Sequence, residues 1–264
     1  ASSNDWYGIY LTSSSSGNTI CHNNFNTNAN QAYDATGLNQ WDNGYPSGGN
    51  YWSDYTGTDV LSGPYQDIPG SDGIGDTPYS NILGGAGAQD NYPLMNRCRL
   101  PIRIDTNAEF DPDHGITGGN GTESNPWVIE NYDVDGTGYG YCIYIGNTTE
   151  HFVVRNCRLH EAGGIGSYPY YPDYGLVLYS VTNATIEHSI IAYNRGGILL
   201  ENSKGEIAHN AIFRNHKPAP YQPPEGPFTG VEVLNSSNLW IHHNNVSWNY
   251  FNIDLVNSRN VLIE

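Results

Sequence analysis

Four segments in the last third of the chain share one pattern at a nearly fixed interval, and that interval restricts the fold more than any other feature. They are Gly175-Leu176-Val177-Leu178, Gly197-Ile198-Leu199-Leu200, Gly230-Val231-Glu232-Val233 and Asn252-Ile253-Asp254-Leu255. Their first residues stand 22, 33 and 22 positions apart. The long interval holds a proline-rich insertion, His216 to Pro227; without those 12 residues it shrinks to 21. A period near 22 falls in the range of solenoid repeats.

Each repeat has internal order. One and three residues after the start sits an aliphatic pair, so two side chains point the same way along a short strand. A second aliphatic follows at Ile186, Ile207, Ile241 and Ile263, and a third at Ile191, Ile212 and Val246. Three short strands per turn, each with an inward row, predict an all-β parallel β-helix with coils of about 22 residues. Asparagines mark the corners: Asn183, Asn238 and Asn260 before the second strand, and Asn194, Asn215 and Asn249 after the third. Asparagine tolerates left-handed backbone angles and bonds its neighbours, and stacked turns can align such residues into ladders.

The pattern G-[ILV]-x-[LV], then I-x-H-[NS], then [IV]-x-x-N resembles the right-handed parallel β-helix repeats of archaeal and bacterial surface proteins similar to NosD, a periplasmic copper-maturation family. Two further stretches look like archaeal members. One joins Gly49-Asn50-Tyr51-Trp52-Ser53-Asp54-Tyr55-Thr56-Gly57 to Asp72 through Tyr79 and Asp90 through Met95. The other is Ile102-Arg103-Ile104-Asp105 followed by Gly118 to Asn131. The resemblance is specific for fold; a fold by itself hosts many functions.

Composition narrows the class. The net charge is −17, and only two of the 264 residues are lysines, Lys204 and Lys217. Nucleic acid and anionic membranes both require a basic surface, so neither is an expected partner. Acidity favours cation binding and solubility. No apolar run is long enough to span a bilayer. Five sequons begin at Asn120, Asn147, Asn183, Asn235 and Asn245, and they predict glycosylation and an extracellular location. Cys21, Cys98, Cys142 and Cys157 allow two disulfides in three connectivities, or stay buried thiols.

Three regions are expected. Residues 1–28 read as one coil that completes a preceding solenoid: Gly8-Ile9-Tyr10-Leu11 matches the first strand, Ile20 the second and Phe25 the third. Residues 29–98 break the repeat and read as an inserted, loop-rich module packed by Trp41, Tyr51, Trp52, Tyr55, Tyr79 and Tyr92. Residues 99–264 form a β-helix with two protruding loops, Gly163 to Asp173 and His216 to Pro227. Joining Ile263-Glu264 to Ala1 through Gly8 gives a near-complete coil of 20 residues. It predicts copies of the chain, covalent or separate, stacked head to tail.

Two clusters could hold cations. Asp72-Gly73-Ile74-Gly75-Asp76 sets two carboxylates on a flexible loop, with Asp54, Asp59 and Asp90 near in sequence. Hard oxygens on glycine-rich loops suit calcium, so these five form the expected ligand set; a solvated Asp-Gly turn is the alternative. Histidines recur two residues after the second-strand aliphatic, at His22, His188, His209 and His243, with His242 beside the last. Stacked imidazoles could bind a soft metal such as copper, which the NosD resemblance suggests. Asn156 holds the same place in the coil of Cys142, so a polar corner ladder is the other reading.

No catalytic residue is assigned. Asp173, Glu187, Glu201, Glu206, Glu232 and Asp254 supply carboxylates, but not in the clustered motifs of polysaccharide hydrolases. The expected function is an extracellular structural unit assembling end to end or in tandem into a filament, sheath or surface layer. The alternative is a surface protein that binds or cleaves carbohydrate, with glycans as partners.

Overall fold

The computed structural model describes residues 1–85, 87–163, 173–215 and 229–264. Apart from Gly163 and Asp173, the two expected loops, Gly163 to Asp173 and His216 to Pro227, lie outside the described residues. The chain divides into two compact units, Ala1–Cys98 and Arg99–Glu264. Among the described residues there is no α-helix, and no helix is long and apolar enough to cross a membrane.

The second unit is an all-β parallel β-helix. Its first row stacks Ile102–Ile104, the start of Tyr141–Arg155, the start of Tyr174–Glu187, then Gly196–Glu201, Thr229–Leu234 and Phe251–Val256. The second row stacks Trp127–Glu130, the ends of the same two long strands, Gly205–Ala208, Ser237–His242 and Arg259–Ile263. The third stacks Tyr132–Thr137, Arg158–Gly163, Ile190–Ala192, Ala211–Phe213 and Asn245–Ser247.

Every one of these pairings is parallel, and the register follows the aliphatic repeat. Leu176 pairs with Ile198, Ile198 with Val231 and Val231 with Ile253. Ile186, Ile207, Ile241 and Ile263 form the second column, and Leu159, Ile191, Ile212 and Val246 the third. Leu176, Ile198, Ile186, Ile207, Ile191 and Ile212 are 0% exposed. Each such side chain, fully buried, contributes about 1.5–3 kcal/mol.

Asparagine ladders close the corners. Asn194 Nδ2 donates to Asn215 Oδ1 at 3.1 Å, and Asn215 Nδ2 to Asn249 Oδ1 at 3.2 Å. Each buried amide thereby satisfies the next coil's, which a buried polar group requires. The glycine that opens the repeat answers this ladder: a Cβ on Gly175 would sit 2.6 Å from Asn194 Nδ2.

The first unit departs from expectation. Strands within residues 29–98 carry on the parallel stacking of residues 1–28, while Leu61–Ser62 and Ile68–Pro69 pair antiparallel in the loop-rich stretch between them. Tyr7–Leu11 pairs with Asn30–Asp34, which pairs with Ile82–Gly84. Asn24–Phe25 pairs with Tyr51–Trp52, and Tyr51 bridges to Leu94. Aromatic rings take the inward places that aliphatics hold elsewhere. Phe25 stacks on Trp52 with centroids 4.5 Å apart, and Trp52 on Tyr79 at 4.2 Å. Long polar excursions separate the strands, and this hides the period in the sequence.

Candidate metal centre

The second corner of the second unit places a histidine on successive coils. His188, His209 and His243 have φ of 49°, 57° and 54°, and Asn156, one coil earlier, has 51°. This left-handed corner disfavours β-branched residues, and here it is filled by asparagine or histidine. The residue after each corner turns inward and builds a second ladder: Ser189 N donates to Asn210 Oδ1 at 3.0 Å, and Asn210 Nδ2 to Asn244 Oδ1 at 3.0 Å. With the backbone so pinned, the imidazoles stack outside the helix. His188 and His209 have centroids 5.0 Å apart and an interplanar angle of 3°; His209 and His243 are also 5.0 Å apart, at 26°.

His242 joins them from the end of Ser237–His242. It lies on the same strand face as Trp240, whose ring stacks on it at 3.8 Å. His242 Nε2 is 2.8 Å from Glu206 Oε1, on the preceding coil. An ionised carboxylate only accepts, so Nε2 carries the proton, and in the neutral imidazole Nδ1 keeps its lone pair. That Nδ1 accepts a hydrogen bond from His243 Nδ1 at 2.7 Å, and a bound metal ion would replace the shared proton. The ligand atoms of His209, His242 and His243 all lie within 4.8 Å of one another.

Three imidazoles with a carboxylate behind one of them form a nitrogen donor set suited to copper, zinc or nickel. Two nitrogens bound to one such ion at about 2.0–2.1 Å stand about 2.9 Å apart at a square-planar angle and about 3.3 Å at a tetrahedral one. The observed separation is nearer the square-planar value. His242 is 6% exposed, whereas His209 and His243 face solvent. An open groove of about 520 Å³ runs beside the centre, lined by Glu206, Trp240, Lys204, Thr185 and Asn238 among others.

The five aspartates expected to hold calcium lie in the first unit, and each accepts donors there. Asp54 accepts from Gln31, Tyr79 and Asn81. Asp59 accepts from Ser71 Oγ at 2.6 Å and from the backbone of Asp72 and Gly73. Asp72 accepts from the backbone of Gly63 and Ile74, and Asp76 from Thr58, Val60 and Leu61. Asp90 accepts from Asn50 N, Trp52 Nε1 and Tyr92 N. Among the described residues these five form no three-carboxylate group as close as the histidine trio. Burial pushes the Asp59 carboxyl up, and the neighbouring charge of Asp76 adds to this.

His22 is in the first unit, with Nε2 3.2 Å from Ser47 O. Of the sequon asparagines, Asn120, Asn147, Asn235 and Asn245 are exposed, while Asn183 is half-buried and donates to Thr149 O at 2.8 Å. Cys142 and Cys157 are buried thiols; burial pushes Cys157 up to about 12. Several of the carboxylates weighed for catalysis are already engaged: Asp173 with Arg195, Glu206 with His242, and Glu232 with the Tyr174 hydroxyl.

Two features escaped the sequence reading. Glu206 is bound to His242 across coils, at positions 36 apart. Asp133, Arg158 and His160 form a buried charged group, in which Asp133 lies 2.8 Å from both partners. The alternation of strand faces, applied to residues 158 and 160 together, was the available signal for the second.

The sequence model of a family described as "Periplasmic copper-binding protein (NosD)" matches residues 1–57 and 102–264. No curated protein and no solved structure matches the chain.

Proposed function

The chain belongs to the NosD family, and from that premise we propose that it is a periplasmic or cell-surface β-helix that binds a copper-class metal ion on its outer wall. His209, His242 and His243 are the ligands, and Glu206 holds His242 in the tautomer that offers Nδ1. The observation that carries this reading is the 2.7 Å approach of two Nδ1 atoms whose partner nitrogen, on His242, is already committed to a carboxylate. The family's printed description supports copper as the ion, and the donor set agrees with it. Titration of the purified chain with Cu(II) against a chromophoric chelator tests it. One tight equivalent is expected, lost in the double variant His242→Ala, His243→Ala. Equal binding by wild type and the double variant overturns the assignment.

End-to-end assembly of glycosylated copies into a filament, sheath or surface layer is a second reading. It is favoured by the parallel register between coils, in which each strand row continues from one coil to the next, the geometry that a further copy would extend. Electron microscopy of concentrated protein should then show rods that lengthen with concentration. Monodisperse particles at every concentration would remove this reading.

A further inference from the structure

The four cysteines are of two kinds. Cys142 and Cys157 are buried, and burial pushes both thiols up, which keeps them protonated and inert. Cys21 and Cys98 are half-buried, and both belong to the first unit. Ile20 and Phe25 are buried in that unit's core, so the alternation of strand faces turns Cys21 and Asn24 to the outer wall. Between them the chain turns a left-handed corner at His22, with φ 54°. The last residue of the unit is fastened to this corner. Asn24 Oδ1 accepts from Cys98 N at 2.8 Å, and Asn24 Nδ2 donates to Cys98 O at 2.9 Å, across 74 positions of sequence. Cys98 Sγ lies 4.0 Å from Asn23 O, and Asn23 Nδ2 donates to Cys21 O at 2.8 Å. Two cysteines remote in sequence thus flank one corner, and Asn23 touches both.

We propose that Cys21 and Cys98 are a cross-linking site: they form a disulfide that ties the exit of the first unit to its opening coil. The oxidant is an external disulfide, either a small molecule or one carried by a thiol oxidoreductase. One cysteine thiolate attacks a sulfur of that disulfide, forms a mixed disulfide and displaces the first thiol. The other cysteine then attacks the mixed disulfide, forms the Cys21–Cys98 bond and displaces the second thiol. Two electrons and the two cysteine protons end on the oxidant, which leaves as two thiols. The link has a physical use. Long excursions separate the strands of this unit, and closing so long a loop removes much of the freedom of the unfolded chain. The bonds of Asn24 to the Cys98 backbone hold the partner in place before the sulfurs react. The proposal is independent of the metal centre.

The folded, reduced chain is incubated with oxidised glutathione, then denatured for thiol titration and peptide mass mapping. Two of the four thiols should disappear, with the peptides of Cys21 and Cys98 joined to each other. The melting temperature should rise by several degrees on oxidation and return on adding reductant. The double variant Cys21→Ser, Cys98→Ser should keep both remaining thiols and show no shift with oxidant. The wild-type measurements stand by themselves if that variant does not fold. Survival of all four thiols overturns the proposal. So does glutathione left attached to Cys21 or Cys98, because the second sulfur then fails to reach the first. A bridge that includes Cys142 or Cys157 overturns it as well.

Discussion

His242 Nδ1 and His243 Nδ1 lie 2.7 Å apart, although the two residues are consecutive in the chain. Neighbours in a regular strand point to opposite faces. The positive φ of His243, 54°, breaks that alternation and swings its ring back toward His242. Glu206 completes the arrangement by fixing which nitrogen of His242 keeps its lone pair. Glu206→Gln should therefore weaken Cu(II) binding by about 10-fold or more without removing it, as outer-shell partners do. Chelator competition measures this, and melting temperature controls for folding. Undiminished affinity would mean that the tautomer is set by something else.

Acid should destabilise the second unit through Asp133. Burial pushes this carboxyl up, but Arg158 and then His160 more than offset it and hold it at about 2. A depressed folded value means that its contribution is present above about pH 4 and is lost as pH falls toward 2. Asp133→Asn should flatten this acid limb in urea unfolding. At pH 7 the variant should lose about 3–5 kcal/mol, because Arg158 is left buried without its charge partner.

Asp90 works in the opposite direction. Burial pushes it up to about 7 despite its three N–H donors. A raised folded value means that its contribution is fully present below about pH 4 and is lost as pH climbs through 7. The melting temperature of the first unit should fall between pH 5 and 8, and Asp90→Asn should reduce that slope. Net charge adds to the slope in both proteins, so the difference between them is the readout. Identical slopes would show that Asp90 keeps an ordinary carboxylate titration.

Calcium in the first unit is a proposal that chelation tests. Asp59 and Asp76 are close enough for the charge of one to raise the other's proton affinity, and a cation would relieve that repulsion. Calcium should raise the melting temperature, and the double variant Asp59→Asn, Asp76→Asn should abolish the response. If calcium and chelator leave the wild type unchanged, the backbone donors alone hold this loop.

The second unit could be read from its sequence because its inward positions are filled by one chemical type. Ile186, Ile207 and Ile241 recur at the coil spacing, and each pairs with the next. The first unit could be read only in its opening coil, because beyond it Ala32, Trp41 and Trp52 share no hydropathy signature and long excursions separate the strands. The histidine column was visible as a repeat. What it converges on was not, since Glu206 reaches His242 by a diagonal across coils that sequence distance conceals. The aspartates illustrate a different difficulty. A carboxylate beside glycine serves equally to cap backbone N–H groups or to bind a cation, and the same residues favour both.

The 21-residue step between Ser189 and Asn210, bonded to each other, makes the wall a stack of interchangeable storeys. Excising residues 189–209 would lower the building by one floor and set His188 directly before Asn210, in the place His209 vacates. The shortened protein would retain three imidazoles at the candidate metal centre but lose Glu206. Architecture of this kind lets whole floors be added or removed while each surviving room keeps its shape.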